Sequence, residues 1–279
     1  MAFYDGGLID TQEYQKEYPE EFILFEFGAL EDLIEGYETL TVTGRELFAR
    51  QVDYQTIKGV DGAVFLSANY GIREIEVEYF LEANSSKELS EKFSQFNRLI
   101  RKPNLKFSIS DDLEYYLIGT VQNVDRVQPG MLTIVSSFKI LCTDPYKYSK
   151  EILRLNGNSL LNIPKVADKP STLEVLSIKL SPKSPSGTPI LFVNYVDEDL
   201  GDSATYTVKT STLVDTLNIN HNVESLILDF ENHIVKYGGY SDNNLISINS
   251  DFENILLTRG SSLVCEGYDI SVDFRYKTI

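Results

Sequence analysis

The stretch GIREIEVEYFLEANSSKELSEKFSQFNRLIRKPN constrains the fold most. Ile75, Val77, Tyr79 and Leu81 alternate with Glu74, Glu76 and Glu78. A period of two makes a strand with one dry face and one wet face. The pattern breaks at Asn84-Ser85-Ser86. Ser85 and Glu88 then stand at capping-box spacing, which satisfies orphan N–H groups at a helix start. Leu89, Phe93, Phe96 and Ile100 follow at helical intervals and form one apolar stripe of roughly three turns. Pro103 cannot continue a helix and biases Lys102 away from the α region. A helix packed on a sheet is the expected unit.

The flanking segments extend it. Residues 1–35 are acidic with interspersed aromatics and read as an arm or irregular first element, with a helical turn over Ala29 to Ile34. Leu40, Val42 and a polar-apolar run to Tyr54 precede Gly59-Val60-Asp61-Gly62, which has turn chemistry. After Pro103, alternation returns at Leu105, Phe107 and Ile109, then over Tyr115–Val121 and Met131–Cys142. The first half therefore reads as an α+β domain of order β-β-α-β-β-β.

Asp144-Pro145-Tyr146 marks a change of texture, with the boundary expected within residues 143–152. Beyond it, short apolar runs alternate with Asn, Gly, Ser and Pro, among them Leu173-Val175-Ile178, Ile190-Phe192-Val193, Leu213-Leu217, Leu226-Leu228 and Ile270-Val272-Phe274. The repeated prolines of Pro182 to Pro189 suit a loop. This is the texture of an all-β sandwich. The expected domains are residues 1–145 and 146–279.

A net charge of −17 opposes nucleic-acid binding and adhesion to anionic membranes. It leaves room for protein partners with a basic face. Cys142 and Cys265 form no CxxC and read as free thiols in a reducing compartment. No cleavable signal or bilayer-spanning run is visible.

Catalytic sets are hard to assemble. His221 and His233 lie in no metal-ligand motif, and His233 alternates with Val235 as a strand or turn histidine would. The chain contains no GxSxG, GxGxxG or phosphate-loop motif. Asp197, Glu198, Asp199 and Asp202 form the densest acidic cluster but lack EF-hand order. Glu74, Glu76 and Glu78 suit a wet or partner-facing surface better than general-acid work. Tyr195, Tyr206, Tyr237, Tyr240 and Tyr268 are the residues from which a sugar platform would be built. No cofactor or metal is expected.

Three stretches together carry a family resemblance: Ile57-Lys-Gly59-Val60-Asp61-Gly62 ahead of the strand near Ile72; Phe138 to Tyr148, FKILCTDPYKY; and the series Leu226–Asp229, Ile234–Gly238, Leu257–Gly260 and Phe274–Tyr276. Their order resembles the siphophage distal tail proteins, the phage tail component family, over roughly residues 40–279. Arg259-Gly260-Ser261-Ser262 stands where that family often has Pro-Gly-x-Asn. The resemblance implies an α+β ring-forming domain followed by a galectin-like or carbohydrate-module-like β-sandwich. It implies a non-enzymatic hub at the virion tail tip, assembled in the bacterial host cytoplasm. Its partners would be further copies in a hexameric ring, the tail tube protein, and tail tip or baseplate proteins, with no nucleic acid and no membrane. Gly59, Asp61 and Gly62, with Leu89, Phe93, Phe96 and Ile100, become the candidates for assembly. The rival readings are a carbohydrate-binding or adhesion protein using the sandwich, and a hydrolase with a spatially assembled site.

Overall fold

The computed structural model describes residues 18–127, 130–166, 170, 172–183, 189–197, 202–210, 225–247, 249–252 and 255–279. The acidic start over residues 1–17, the run Leu213–Leu217, His221 and the side chains of Asp197–Asp202 lie outside the described residues. The fold is mostly β. The chain divides into two compact units, Met1–Pro145 and Tyr146–Ile279.

The first unit contains β1 (Ile23–Phe25), β2 (Gly28–Ala29), α1 (Leu30–Leu33), β3 (Tyr37–Thr43), β4 (Arg50–Gln55), β5 (Val64–Tyr70), β6 (Arg73–Glu82), α2 (Ser86–Ile100), β7 (Leu105–Ile109), β8 (Tyr115–Val124) and β9 (Thr133–Cys142). The antiparallel order β3-β6-β9-β8-β7-β1-β2 runs through all but β4 and β5. The first part of β8 pairs with β7 and its second part with β9. A register shift between Val121 and Asn123 bends the strand beyond the change of partner.

Strand β6 has the alternation its sequence predicts. Ile75, Val77, Tyr79 and Leu81 are buried, while Glu74 and Glu78 are exposed. The dry face packs under α2. Ser85 Oγ accepts the Glu88 N–H at 3.2 Å. The Glu88 carboxylate reaches back one residue further than a standard capping box, taking the Asn84 N–H at 2.9 Å. Lys92, one turn on, pairs with Glu88 at 2.7 Å, and this pairing leads the causes that hold the Glu88 carboxyl below its ordinary range. The helix spans 15 residues, about a turn longer than the apolar stripe alone suggests.

The second unit contains β10 (Lys147–Ser149), β11 (Leu153–Gly157), β12 (Leu160–Asn162), β13 (Thr172–Pro182), β14 (Ile190–Asp197), β15 (Asp202–Lys209), β16 (Leu226–Asp229), β17 (Ile234–Tyr237), β18 (Tyr240–Ser241), β19 (Leu257–Thr258), β20 (Ser262–Val264) and β21 (Tyr268–Thr278). One sheet runs β18-β17-β16-β13-β21-β11, and the other β12-β20-β14-β15. Ile178, Leu228 and Val272 from the first share one core with Leu191, Val193 and Leu263 from the second. Strand β21 pairs with β13 along nearly its whole length and with β11 and β10 on its other edge.

Candidate functional site

The sequence-predicted assembly residues fall in two unlike places. Phe96 and Ile100 are buried, and Leu89 and Phe93 are partly buried against the same core. Phe96 meets Tyr37, Tyr79 and Phe138 at centroid distances of 5.7, 5.4 and 5.5 Å. The stripe of α2 is thus spent on its own unit. Gly59, Asp61 and Gly62 lie instead in an exposed turn between β4 and β5. Gly59 and Gly62 have φ of +85° and +89°, where a Cβ is strained.

That turn caps a two-stranded sheet that the sequence pattern did not reveal in full. The strand expected near Ile72 is β6, which begins at Arg73; no strand is expected over Val64–Tyr70, where β5 lies. The reason is a register shift: Asp53 pairs with Ser67 but Tyr54 with Phe65, leaving Leu66 unmatched. The extra residue makes Val64-Phe65-Leu66 read as a continuous apolar run and hides the period of two. Directly opposed residues share a face. One face therefore holds Arg50 with Tyr70, Val52 with Ala68, and Tyr54 with Phe65. The other holds Gln51 with Asn69 and Asp53 with Ser67, the latter joined by a hydrogen bond of 3.0 Å. Every residue of β4 is exposed. Tyr54 is 63% and Phe65 64% exposed, so among the described residues nothing covers the apolar face.

The hairpin is rooted at its base. Phe48 stacks on Tyr70 at 6.0 Å, and the Arg73 guanidinium lies 4.9 Å from the Phe48 ring. Arg73 is fully buried at the start of β6, and burial lowers its pKa.

The second unit offers a polar groove of about 870 Å³ on the outer face of β11, β13, β16 and β21. Arg154, Asn156, Ser177, Lys179, Ser271 and Asp273 are among its lining residues. Arg154 donates twice to Asp273, at 2.6 and 2.7 Å, and this holds the Asp273 carboxyl below its ordinary value. The five tyrosines from which the rival sugar platform would be built are not brought together on one surface. Tyr237 and Tyr268 are core residues, and burial raises the Tyr268 phenol to about 12. Tyr195 and Tyr206 meet edge to face, while Tyr240 is exposed on β18. Period-two alternation puts a tyrosine on a face but does not say which face is dry.

The remaining chemical candidates are placed as follows. His233 occupies a turn with φ of +54°, and its carbonyl accepts from Asn243 Nδ2 at 2.9 Å. Among the described residues no three His, Cys, Asp or Glu side chains converge as a metal site. Among the described residues no helix is long and apolar enough to cross a membrane. Cys142 and Cys265 are buried free thiols, each pushed up to about 12 chiefly by burial. That is the reverse of an activated nucleophile. A thiol-reactive chromophore is expected to titrate neither cysteine in the folded chain and both after denaturation. Rapid reaction of Cys265 in the native protein would contradict this placement.

Residues 32–134 match the family model of the phage tail protein RIFT-related domain. No curated protein matches. Among solved structures, the SPP1 Dit (gp 19.1) protein, described as a paradigm of hub adsorption apparatus in Gram-positive infecting phages, is similar at 16% identity and a TM-score of 0.68. The alignment covers 93% of this chain and 99% of that one. A chain of the phage P2 baseplate in its activated conformation with calcium matches at 12% identity and a TM-score of 0.50, covering 93% and 97%. At these identities the likeness is one of fold.

Proposed function

We propose that the chain is a distal tail protein, a non-enzymatic structural hub at the tail tip of a phage or prophage particle. The observation that carries this reading is the two-way, near-complete fold likeness to a tail hub protein, joined to a phage-tail domain match over the first unit. In this reading the first unit forms a hexameric ring, and the hub joins the tail tube to baseplate or tip proteins. The second unit is a galectin-like β-sandwich serving as a docking module. Assembly takes place in the bacterial host cytoplasm, and the finished protein resides in the virion tail.

The charge sets how the ring must form. Like charge of −17 per copy opposes association, most strongly at low salt where screening is weak. Association therefore depends on apolar burial within the first unit. The purified chain is expected to sediment as a monomer or weak oligomer at low salt and to shift to a hexamer at high protein and salt concentration. Negative-stain images of the latter should show six-fold rings. A salt-independent dimer formed through the second unit would overturn the reading.

A second reading, saccharide binding by the second unit, is favoured by the polar groove on its outer sheet face. The groove supplies hydroxyl, amide and charged partners for sugar hydroxyls, but its lining includes no aromatic ring for stacking. Binding of the intact protein to a glycan array, abolished by Asn156→Ala together with Lys179→Ala, would establish it.

A further inference from the structure

The polar groove of the second unit is a lattice whose rows are set by strand register. Directly opposed residues on neighbouring strands share a face. Asn156 on β11, Ser271 on β21, Lys179 on β13 and Ile227 on β16 therefore form one row across four strands. Their chain neighbours Ile178, Leu228, Ile270 and Val272 point the other way, into the core. Neighbouring strands lie about 4.8 Å apart, so the row is roughly 14 Å long.

The charges around the row are paired with one another. On one side Arg154 holds Asp273 at 2.6 Å and Lys236 holds Asp229 at 2.9 Å. On the other side Lys183 meets Asp269 at 3.3 Å. Lys179 stands exposed between them. Among the described residues no carboxylate lies within ion-pair distance of it. Its cross-strand neighbours are the Ser271 hydroxyl and the aliphatic Ile227, and neither can neutralise an ammonium.

That unmatched cation decides the charge of a ligand. A neutral molecule seated on the row takes water from the ammonium and returns no charge, which costs free energy. An oxyanion replaces the lost water with a charge-assisted hydrogen bond. A lone small anion uses only one residue of the row. An extended polyhydroxyl ligand uses the rest, with Asn156 and Ser271 exchanging hydrogen bonds and Ile227 covering an aliphatic C–H face.

We propose that the groove takes an anionic saccharide, whose phosphate or carboxylate sits on Lys179 while its hydroxyls meet Asn156 and Ser271. The proposal rests on the saccharide reading of the second unit and adds the charge of the ligand. Arg154 is not the partner of the anion, because its fork is already spent on Asp273. The net charge of −17 repels anions at a distance, so selection is by contact at Lys179 and not by steering.

The test presents the full-length chain to a glycan array of neutral saccharides, each matched by a uronate and a phosphorylated form. The charged forms are expected to half-saturate at about one-tenth the protein concentration of their neutral counterparts or less, the worth of one charge-assisted hydrogen bond. The better of the two forms tells phosphate from carboxylate. Lys179→Met keeps the apolar stem and removes the charge. It is expected to bring the charged forms to the level of the neutral ones with an unchanged thermal melt. Lys209→Met, on β15 of the other sheet, should bind as wild type. Equal binding of charged and neutral forms, untouched by Lys179→Met, would overturn the anion and leave the saccharide reading standing. Inorganic phosphate that competes as well as a phosphorylated saccharide would show a simple ion site and overturn the sugar. Silence on every spot removes both readings of the groove.

Discussion

Gly44→Ala is expected to unfold the first unit. Gly44 follows β3 with φ of +88°, and a Cβ there would lie 2.0 Å from the Glu74 carbonyl oxygen and 3.3 Å from the Ile75 Cα. These are backbone atoms of the neighbouring strand, so no side chain can swing away. A left-handed alanine alone costs about 1–3 kcal/mol. Opening the β3–β6 ladder adds to this, because Val42 and Val77 are paired there and both are buried. A total above about 4 kcal/mol is a large share of what holds a domain together. Limited proteolysis should degrade residues of the first unit and leave a fragment near Tyr146–Ile279. A melting profile indistinguishable from wild type would show that the turn has another conformation.

Phe96→Ala should be the costliest truncation in the helix. The ring is 3% exposed and touches three other aromatic rings from β3, β6 and β9. Removing a buried phenylalanine costs about 3–5 kcal/mol, the transfer energy plus the cavity left behind. Leu89→Ala should cost less, since Leu89 is only partly buried. In urea the transition of the first unit should move to much lower concentration, while that of the second unit, which has its own core, keeps its midpoint. Equal effects of the two substitutions would place the helix differently on the sheet.

The legible parts of the fold are those where one period repeats long enough to name a buried face. Strand β6 and helix α2 satisfy this, and so do Leu226–Asp229 and Ile234–Tyr237, each a strand in the structure. The illegible parts fail for specific reasons. One unmatched residue, Leu66, blurs β5. His233, read as a strand or turn histidine, sits in a turn, but its alternation with Val235 gives no sign of the left-handed conformation, which histidine tolerates better than most residues. Gly59 and Gly62 announce a turn, but no local pattern says that the strands on either side stand clear of a core. Val52 and Tyr54 alternate with Gln51, Asp53 and Gln55, and that signal could have found β4. The exposure of its apolar face depends on the whole unit and is written nowhere in the segment.

The central place of β21 bears on how the chain is made. Residues 268–278 pair with strands that precede them by about a hundred positions and supply Ile270, Val272 and Phe274 to the core. A ribosome emits β11 and β13 long before their shared partner exists. Until β21 emerges, both hold unmet ladder groups beside apolar side chains, the condition under which nascent chains aggregate. The first unit has every strand of its sheet by Cys142 and can close during translation. Premature termination ahead of Tyr268 would therefore release a polypeptide with a folded front half and an adhesive, unclosed tail.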